Sequence, residues 1–426
     1  MQLNLKFPKL KIDEGKYKKY PFQTVDRQLA ILPKKIQFCS RCVVSNQRPR
    51  TEFDKEGVCN ACRWAEKKFG DGVDWDKREK ELVKLLDKHR SKDGSFDVLV
   101  PGSAGKDSAL VIHQLKHKYG MHPLQVTWAP FIYTDIGFQN FNNMIQHGFD
   151  GITMWPNGML HRKLSRVAFE LKGDPFEPFV WGQKAMPFQL ALRFKIPLIF
   201  YGENGEVEYG GSFKNASKPH ESPDDWDELY LKGAGVNEII QKAYKMGILS
   251  KEEMANHNFE FYKAPAKKDV KRLGLQMHWW SYYKPWVPQE NYYYAAKNTG
   301  FEANTKRTDA TYSKAFSIDD RLDPFHWLLA FIKFGQGRAT REACSDVRCG
   351  HITREEAVAL VQRYDHEFPA TYFNDFLTYL GMTEKHFWQI IDQYRQPHIW
   401  KKEKGKWKLR FVVSNKSVYG ETPKNP

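Results

Sequence analysis

The chain has 426 residues, 41% of them hydrophobic and 27% charged, with a formal net charge of +15 at pH 7. That length suits two or three domains with a large core. No apolar run reaches membrane-spanning length and Met1-Gln2-Leu3-Asn4 opens no apolar signal segment, so a membrane protein is not expected and a cytoplasmic location is. The excess of Lys and Arg attracts polyanions or acidic small molecules, which makes nucleic acid the partner to exclude. Clusters such as Trp279-Trp280-Ser281-Tyr282-Tyr283 and Tyr292-Tyr293-Tyr294 suit base or sugar stacking as well as ordinary core packing.

Residues 1–37 are basic and punctuated by Pro8, Pro21 and Pro33, and read as an arm lying over the rest of the molecule. A cysteine module at 38–72 follows, in which Cys39, Cys42, Cys59 and Cys62 form two C-x-x-C knuckles. Each knuckle puts two sulfurs on one side of a tight turn, which fits a four-thiolate structural Zn²⁺ site with no open position. A disulfide pair or an iron–sulfur cluster competes, and a reducing compartment counts against disulfides. The remaining cysteines, Cys344 and Cys349, lack a metal spacing and read as buried small hydrophobes.

Asp74 to Arg90 reads as a helix with Leu82, Leu85 and Leu86 as its apolar face. Strands and helices then alternate: strand 96–100, helix 107–119, strand 124–128, helix 137–146, strand 151–155, helices near 160–171 and 182–194, strand 197–201. Such alternation predicts an α/β fold with a parallel sheet whose ligands bind at the carboxyl ends of the strands. His113 and His117, four apart in this stretch, lack a third ligand and read as solvated helix surface. Beyond Asn204 helices separated by aromatic-rich loops are expected, with capping boxes Ser250–Glu253 and Thr353–Glu356 marking helix starts near 251 and 354. Phe325–Phe334 reads as a buried helix delivering the chain to a basic turn, Gly335-Gln-Gly-Arg338, and 406–413 as an edge strand. No internal repeat is present.

Between the first strand and its helix lies Pro101-Gly102-Ser103-Ala104-Gly105-Lys106-Asp107-Ser108. Small residues let the backbone approach an anion, the first helical N–H groups point at it, and Lys106 adds a charge. The segment does not match G-x-x-x-x-G-K-[ST]. A ligand-free strand-to-helix turn is the plain alternative, against which the Lys-Asp-Ser helix start counts. Alanine at 104 calls for a negative φ there. Trp128-Ala129-Pro130 and Gly202-Glu203-Asn204-Gly205 lie at two other strand ends and should face the same crevice.

The 103–108 segment resembles the S-G-G-x-D-S loop of the PP-loop ATP pyrophosphatase superfamily, with Ala104 in place of the first glycine. Together the knuckles, this loop, Tyr201-Gly-Glu-Asn204, Tyr209-Gly-Gly211, Ser317-Ile-Asp-Asp320, Ile332-Lys-Phe-Gly335, Arg338-Ala-Thr340 and Ile352-Thr-Arg-Glu-Glu-Ala357 resemble the N-acetyl sugar amidotransferases of bacterial surface-polysaccharide and flagellin-glycan biosynthesis, from about residue 36 to 395. The resemblance implies conversion of an acetamido group on a nucleotide-linked or acidic sugar, such as those of O-antigen or pseudaminic acid, into an acetamidino group with ATP and ammonia. It implies catalytic roles for Lys106, Asp107 and Ser108, and a nucleotide site built from Gly102, Ser103, Ala104, Gly105, Lys106, Asp107, Ser108, Trp128 and Gly202. Mg²⁺ would bridge phosphate oxygens, with Asp107 as its partner or as a helix-start anchor. Substrate contacts would come from Glu203, Asn204, Tyr209, Gly210, Gly211, Lys333 and Arg338. Glu203 is read as steering ammonia or gripping the sugar, or as a strand-end carboxylate without a role.

The implied organisation is a basic arm (1–37), a zinc module (38–72), an ATP-binding domain (73–205) and a helical, aromatic-rich substrate or partner region (206–426). No glutaminase nucleophile is visible, so a separate glutaminase and a cyclase-like barrel protein are implied as ammonia-supplying partners. A tRNA-modifying PP-loop enzyme is the alternative, and a non-catalytic zinc-ribbon scaffold for nucleic acid a more distant one.

Overall fold

A computed structural model describes residues 5–423. Its centre is a six-stranded sheet: β1 (Val98–Pro101), β2 (Pro123–Trp128), β3 (Gly151–Met154), β4 (Leu198–Tyr201), β5 (His220–Glu221) and β6 (Gln276–Trp279), in spatial order β3-β2-β1-β4-β6-β5. All neighbours are parallel except β5, which runs antiparallel to β6. β1, β2 and β4 are buried throughout, as parallel strands covered on both faces must be. The chain builds outward from β1 to β3 and then crosses back to β4, so a topological switch point opens between the carboxyl ends of β1 and β4.

The helices form close to their sequence signals. Asp74 caps Trp75–His89, accepting from Lys77 N at 2.9 Å, and the helix buries Leu82 and Leu86. The helix expected over 107–119 forms in two geometries, α over Lys106–His113 and π over Gln114–Lys118. Helices Asp135–Gln146, Gly158–Lys172 and Glu177–Phe194 follow. The last starts five residues before Gly182 because Pro178 presets its first turn. In the later half Asp323–Phe334, Arg338–Arg348 and Arg354–Tyr364 are helical, the last with the complete Thr353–Glu356 capping box. Lys406–Leu409 pairs antiparallel with Trp400–Glu403.

Two expectations are corrected. The strand β6 falls in the region read as helices and loops, so the parallel sheet runs on past residue 205. Near 251 the capping contacts between Ser250 and Glu253 form, yet only a 3₁₀ turn, Glu252–Met254, results. Ala255 leaves in extended geometry, and the Glu253 carboxylate is bound by Lys163 Nζ at 2.8 Å.

Apolar clusters cover the sheet on its two faces. A third unites Leu29, Leu32 and Ile36 of the arm, the four knuckle cysteines, and C-terminal residues such as Phe325, Phe376 and Trp400. The cysteine module therefore shares its core with the end of the chain, and Phe38 N donates to Val418 O at 2.6 Å. The arm is tied down by Val25 N to Leu171 O at 2.8 Å. Among the described residues no helix is long and apolar enough to cross a membrane.

Candidate functional site

The loop after β1 ends at the switch point. A Cβ on Gly102 would collide with the Ser108 side chain, so only glycine fits there. Ser108 Oγ in turn donates to Gly105 O at 3.2 Å, closing the turn on itself. Ala104, expected at negative φ, has φ +64°, and it is the residue that stands where the resembling loop has glycine. A left-handed alanine costs on the order of 1 kcal/mol. Lys106 is only 5% exposed: its ammonium lies 4.1 Å from the Phe316 ring centroid and is paired with Asp107. The other oxygen of Asp107 accepts from Asn291 Nδ2 at 2.9 Å, so the carboxylate is fixed from two sides.

A cleft of about 840 Å³, its open mouth included, lies over this loop. Ser103, Gly105, Lys106 and Asp107 form one wall, and Glu203 and Tyr209 from beyond β4 form the next. The outer wall is the 315–319 segment together with Arg338, Arg341 and Glu342 from the helix Arg338–Arg348. Asp320 seats that segment, its carboxylate accepting from Phe131 N at 2.6 Å and Leu322 N at 2.8 Å. Ser317, at φ +53°, is a left-handed non-glycine residue lining the cleft; such conformations gather at functional sites.

Residues 299–412 match the model of the C-terminal domain of WbpG-like LPS biosynthesis proteins. The matched stretch supplies the whole outer wall of the cleft. It points to an enzyme of polysaccharide biosynthesis. The comparison with curated proteins finds no match.

Charge in the cleft is mixed. Tyr209 OH donates to Glu203 Oε1 at 3.2 Å, and Arg341 Nη2 lies 3.9 Å from the same oxygen. Burial first, and then the Asp107 carboxylate, holds the Glu203 carboxyl above its ordinary value, with Arg341 pulling the other way. Asp319 is likewise held up by burial, against the pull of a hydrogen bond from Ser103. Arg338 Nε donates to Glu342 Oε1 at 2.5 Å, whereas Arg341 stacks on the Tyr209 ring at 3.9 Å.

Across the loop lies a smaller cavity of about 600 Å³, lined by Gly102, Ser103, Val126, Trp128, Phe179 and Asp319 among others. Trp128 packs where Gly182 leaves room for it, and its Nε1 is buried without a partner. Ser103 and Asp319 border both cavities. Gly202 is a packing position: a Cβ there would press on the Trp286 ring.

The four knuckle cysteines are buried, with all four Sγ atoms within 4.8 Å of one another. Cys39–Cys62 and Cys42–Cys59 sulfur separations are 3.9 and 3.8 Å. Tetrahedral Zn²⁺ with bonds of about 2.3 Å requires edges of about 3.8 Å, so the donor set fits zinc. Backbone N–H groups of Cys42 and Cys59 point at Cys39 Sγ at 3.5 and 3.2 Å, and Cys62 N at Cys59 Sγ at 3.4 Å. Arg348 Nη2 lies 3.5 Å from Cys42 Sγ and 3.8 Å from Cys59 Sγ, linking the helix that carries Arg338 and Arg341 to the thiolates. Cys344 is buried beside this centre; Cys349 is half-buried.

Other residues singled out in the sequence have structural partners. Asn204 caps the helix Gly205–Tyr209, accepting from Glu206 N at 3.2 Å. Gly210 O accepts from Arg48 Nε at 3.0 Å and from Thr51, and Gly211 O from Asn60 Nδ2 at 2.9 Å, so both glycines dock the cysteine module. Lys333 is buried, its ammonium donating to Asp26 Oδ2 and Lys172 O at 2.9 Å each, outside the cleft. His113 is not simply surface: it shares a hydrogen bond with Tyr294 OH at 2.8 Å and lies 4.4 Å from the His117 ring. Sequence reasoning missed Arg341, Phe316 and Asn291, and met Asp319 only within the Ser317–Asp320 motif, without a role. Arg341 had a signal, since it follows Arg338 by three and shares its helix face.

Proposed function

We propose that the protein is an ATP-dependent amidotransferase that converts a sugar acetamido group to an acetamidino group through an adenylylated imidate. The observation that carries this reading is the meeting, in one cleft at the switch point, of an anion-suited loop with Glu203, Tyr209, Arg338 and Arg341. An amide oxygen is a poor leaving group, so it must be activated: it attacks the α-phosphorus of ATP and pyrophosphate leaves. Ammonia then adds to the imidate carbon, AMP departs with the former carbonyl oxygen, and a proton is lost.

Ser103 Oγ and the N–H groups at the start of the Lys106–His113 helix suit the departing pyrophosphate, and Lys106 neutralises its growing charge. Ser108 supports the loop through Gly105. The adjoining cavity under Trp128 suits the nucleoside, giving its orphaned indole N–H a partner. Asp107, whose charge helps hold the Glu203 carboxyl above its ordinary value, would hold Mg²⁺, which would supply charge neutralisation on the phosphates. Arg341 and Tyr209 hold the acceptor, and Glu203 takes the proton released by ammonia. The thiolate centre, loaded with Zn²⁺, holds structure only.

The test follows AMP by mass spectrometry with ATP, ammonium and candidate acetamido sugars. Lys106→Ala and Asp107→Ala are each expected to reduce AMP formation by at least about a hundredfold. Unchanged AMP production in a variant that melts like the wild type removes the loop from the chemistry.

A further inference from the structure

Behind the cleft, between the cysteine module and the helices Asp323–Phe334 and Arg338–Arg348, lies another chamber of about 900 Å³. Tyr209 and Arg341 border both spaces, so they form a shared wall. The chamber is rich in cations, and most are spoken for. Arg50 makes a two-pronged pair with Glu206 at 2.9 and 2.8 Å, Lys232 is bound by Asp174 and Glu177, and Lys333 by Asp26. Arg348 faces the thiolates. Arg48 and Arg341 differ. Arg48 spends only its Nε on a carbonyl, Gly210 O, and makes no ion pair among the described residues; the nearest carboxylate oxygen to Arg341 is 3.9 Å away. Burial pushes Arg48 down to about 10; the Glu206 carboxylate, already paired with Arg50, opposes the shift, and the guanidinium groups of Arg341, Arg50 and Arg348 add to it.

Arg48, which has no ion pair among the described residues, and Arg341, whose carboxylate contact is as long as 3.9 Å, stand at the wall of a cleft with donors to spare, a ready receptor for anionic oxygens. The geometry points to this chamber as the seat of the acceptor sugar's anionic group, a phosphate or a carboxylate, with Arg48 and Arg341 as its ligands and the acetamido group reaching past Tyr209 into the cleft. This rests on the reading of the cleft as the adenylylation site. It gives the cysteine module a part in specificity, because Arg48 lies between the two knuckles. A neutral acetamido sugar leaves the chamber's charge unmatched.

The test uses the full-length, zinc-loaded protein and calorimetric titration without ATP. Three probes separate the sources: UDP-N-acetylglucosamine carries a diphosphate, N-acetylneuraminic acid a carboxylate, and N-acetylglucosamine no charge. One anionic probe is expected to bind at least about tenfold more tightly than the neutral one. Arg48→Gln should erase that preference and Arg48→Lys keep most of it, with zinc content and melting unchanged. Lys106→Ala should leave the preference intact while abolishing binding of a non-hydrolysable ATP analogue. Should Arg48→Gln lose zinc, the same comparison is read from Arg341→Gln. A preference that survives these arginine variants, that vanishes with Lys106→Ala, or that is absent from the wild type overturns the chamber. Failure of the wild type to bind the ATP analogue overturns the adenylylation reading instead.

Discussion

Ala104 and Gly102 show opposite uses of a small side chain within one loop. Gly102 has no room for a Cβ because Ser108 occupies the space, whereas Ala104 has room but adopts a conformation that L-residues disfavour. Gly102→Ala should therefore cost about 2 kcal/mol or more, and Ala104→Gly should change stability by no more than about 1 kcal/mol, strain relief offsetting lost packing and chain entropy. Chemical denaturation of the two variants checks the contrast, and equal effects would refute it. Glu203 offers a pH test. Its folded carboxyl is held above the ordinary value, so the folded state binds that proton more tightly than the unfolded chain and stability falls as pH rises from the ordinary glutamate range through the raised value. Glu203→Gln should melt higher than the wild type above that window and equally below it; a lower melting temperature at neutral pH would show that the carboxylate is stabilised rather than strained. In the sequence, Glu203 was legible because it ends a strand, and Arg338 because it follows a glycine turn. Lys333 showed the limit of such reading: a lysine at the end of an apolar helix looks free until the distant Asp26 that neutralises it is placed.

Strands β1 to β4 were legible because each is a short apolar run set between helical patterns. β6 was not, since Gln276-Met-His-Trp279 runs straight into Trp280 and a helical turn, and only pairing with β4 turns those four residues into a strand. The helix at 251 failed for a similar reason: a capping box supplies a start, and tertiary demand on Glu253 removed the continuation. Helix Arg338–Arg348 has the most distributed task of any element described, with Arg338 and Arg341 on the cleft and Arg348 on the thiolates. One zinc per chain is expected by elemental analysis, and Cys39→Ser or Cys62→Ser should yield insoluble protein, because metal binding and folding are coupled. Iron in that analysis, or a soluble metal-free protein of full activity, contradicts the assignment.

At the scale of the whole molecule, the cleft draws its walls from the β1 loop, the β4 loop and the LPS-biosynthesis-like C-terminal stretch, and the reaction proposed for it needs a nitrogen source. The isolated protein should use ammonium salts and not glutamine, with activity rising with pH as free ammonia increases, and a glutaminase partner should confer use of glutamine at neutral pH. Labelled ammonium should enter the product and the carbonyl oxygen should leave on AMP; glutamine hydrolysis by the chain alone, or retention of that oxygen in the sugar, would defeat the scheme. The shared core of the cysteine module and the C-terminal helices bears on biogenesis. During translation the knuckles emerge long before Phe325, Phe376 and Trp400, against whose cluster they pack, and Phe38 must wait for Val418 to close its backbone hydrogen bond. A nascent chain thus carries four unshielded thiols and an uncovered apolar face through most of its synthesis, so the ribosome releases a protein whose first-made cysteine cluster is among the last parts to be sealed.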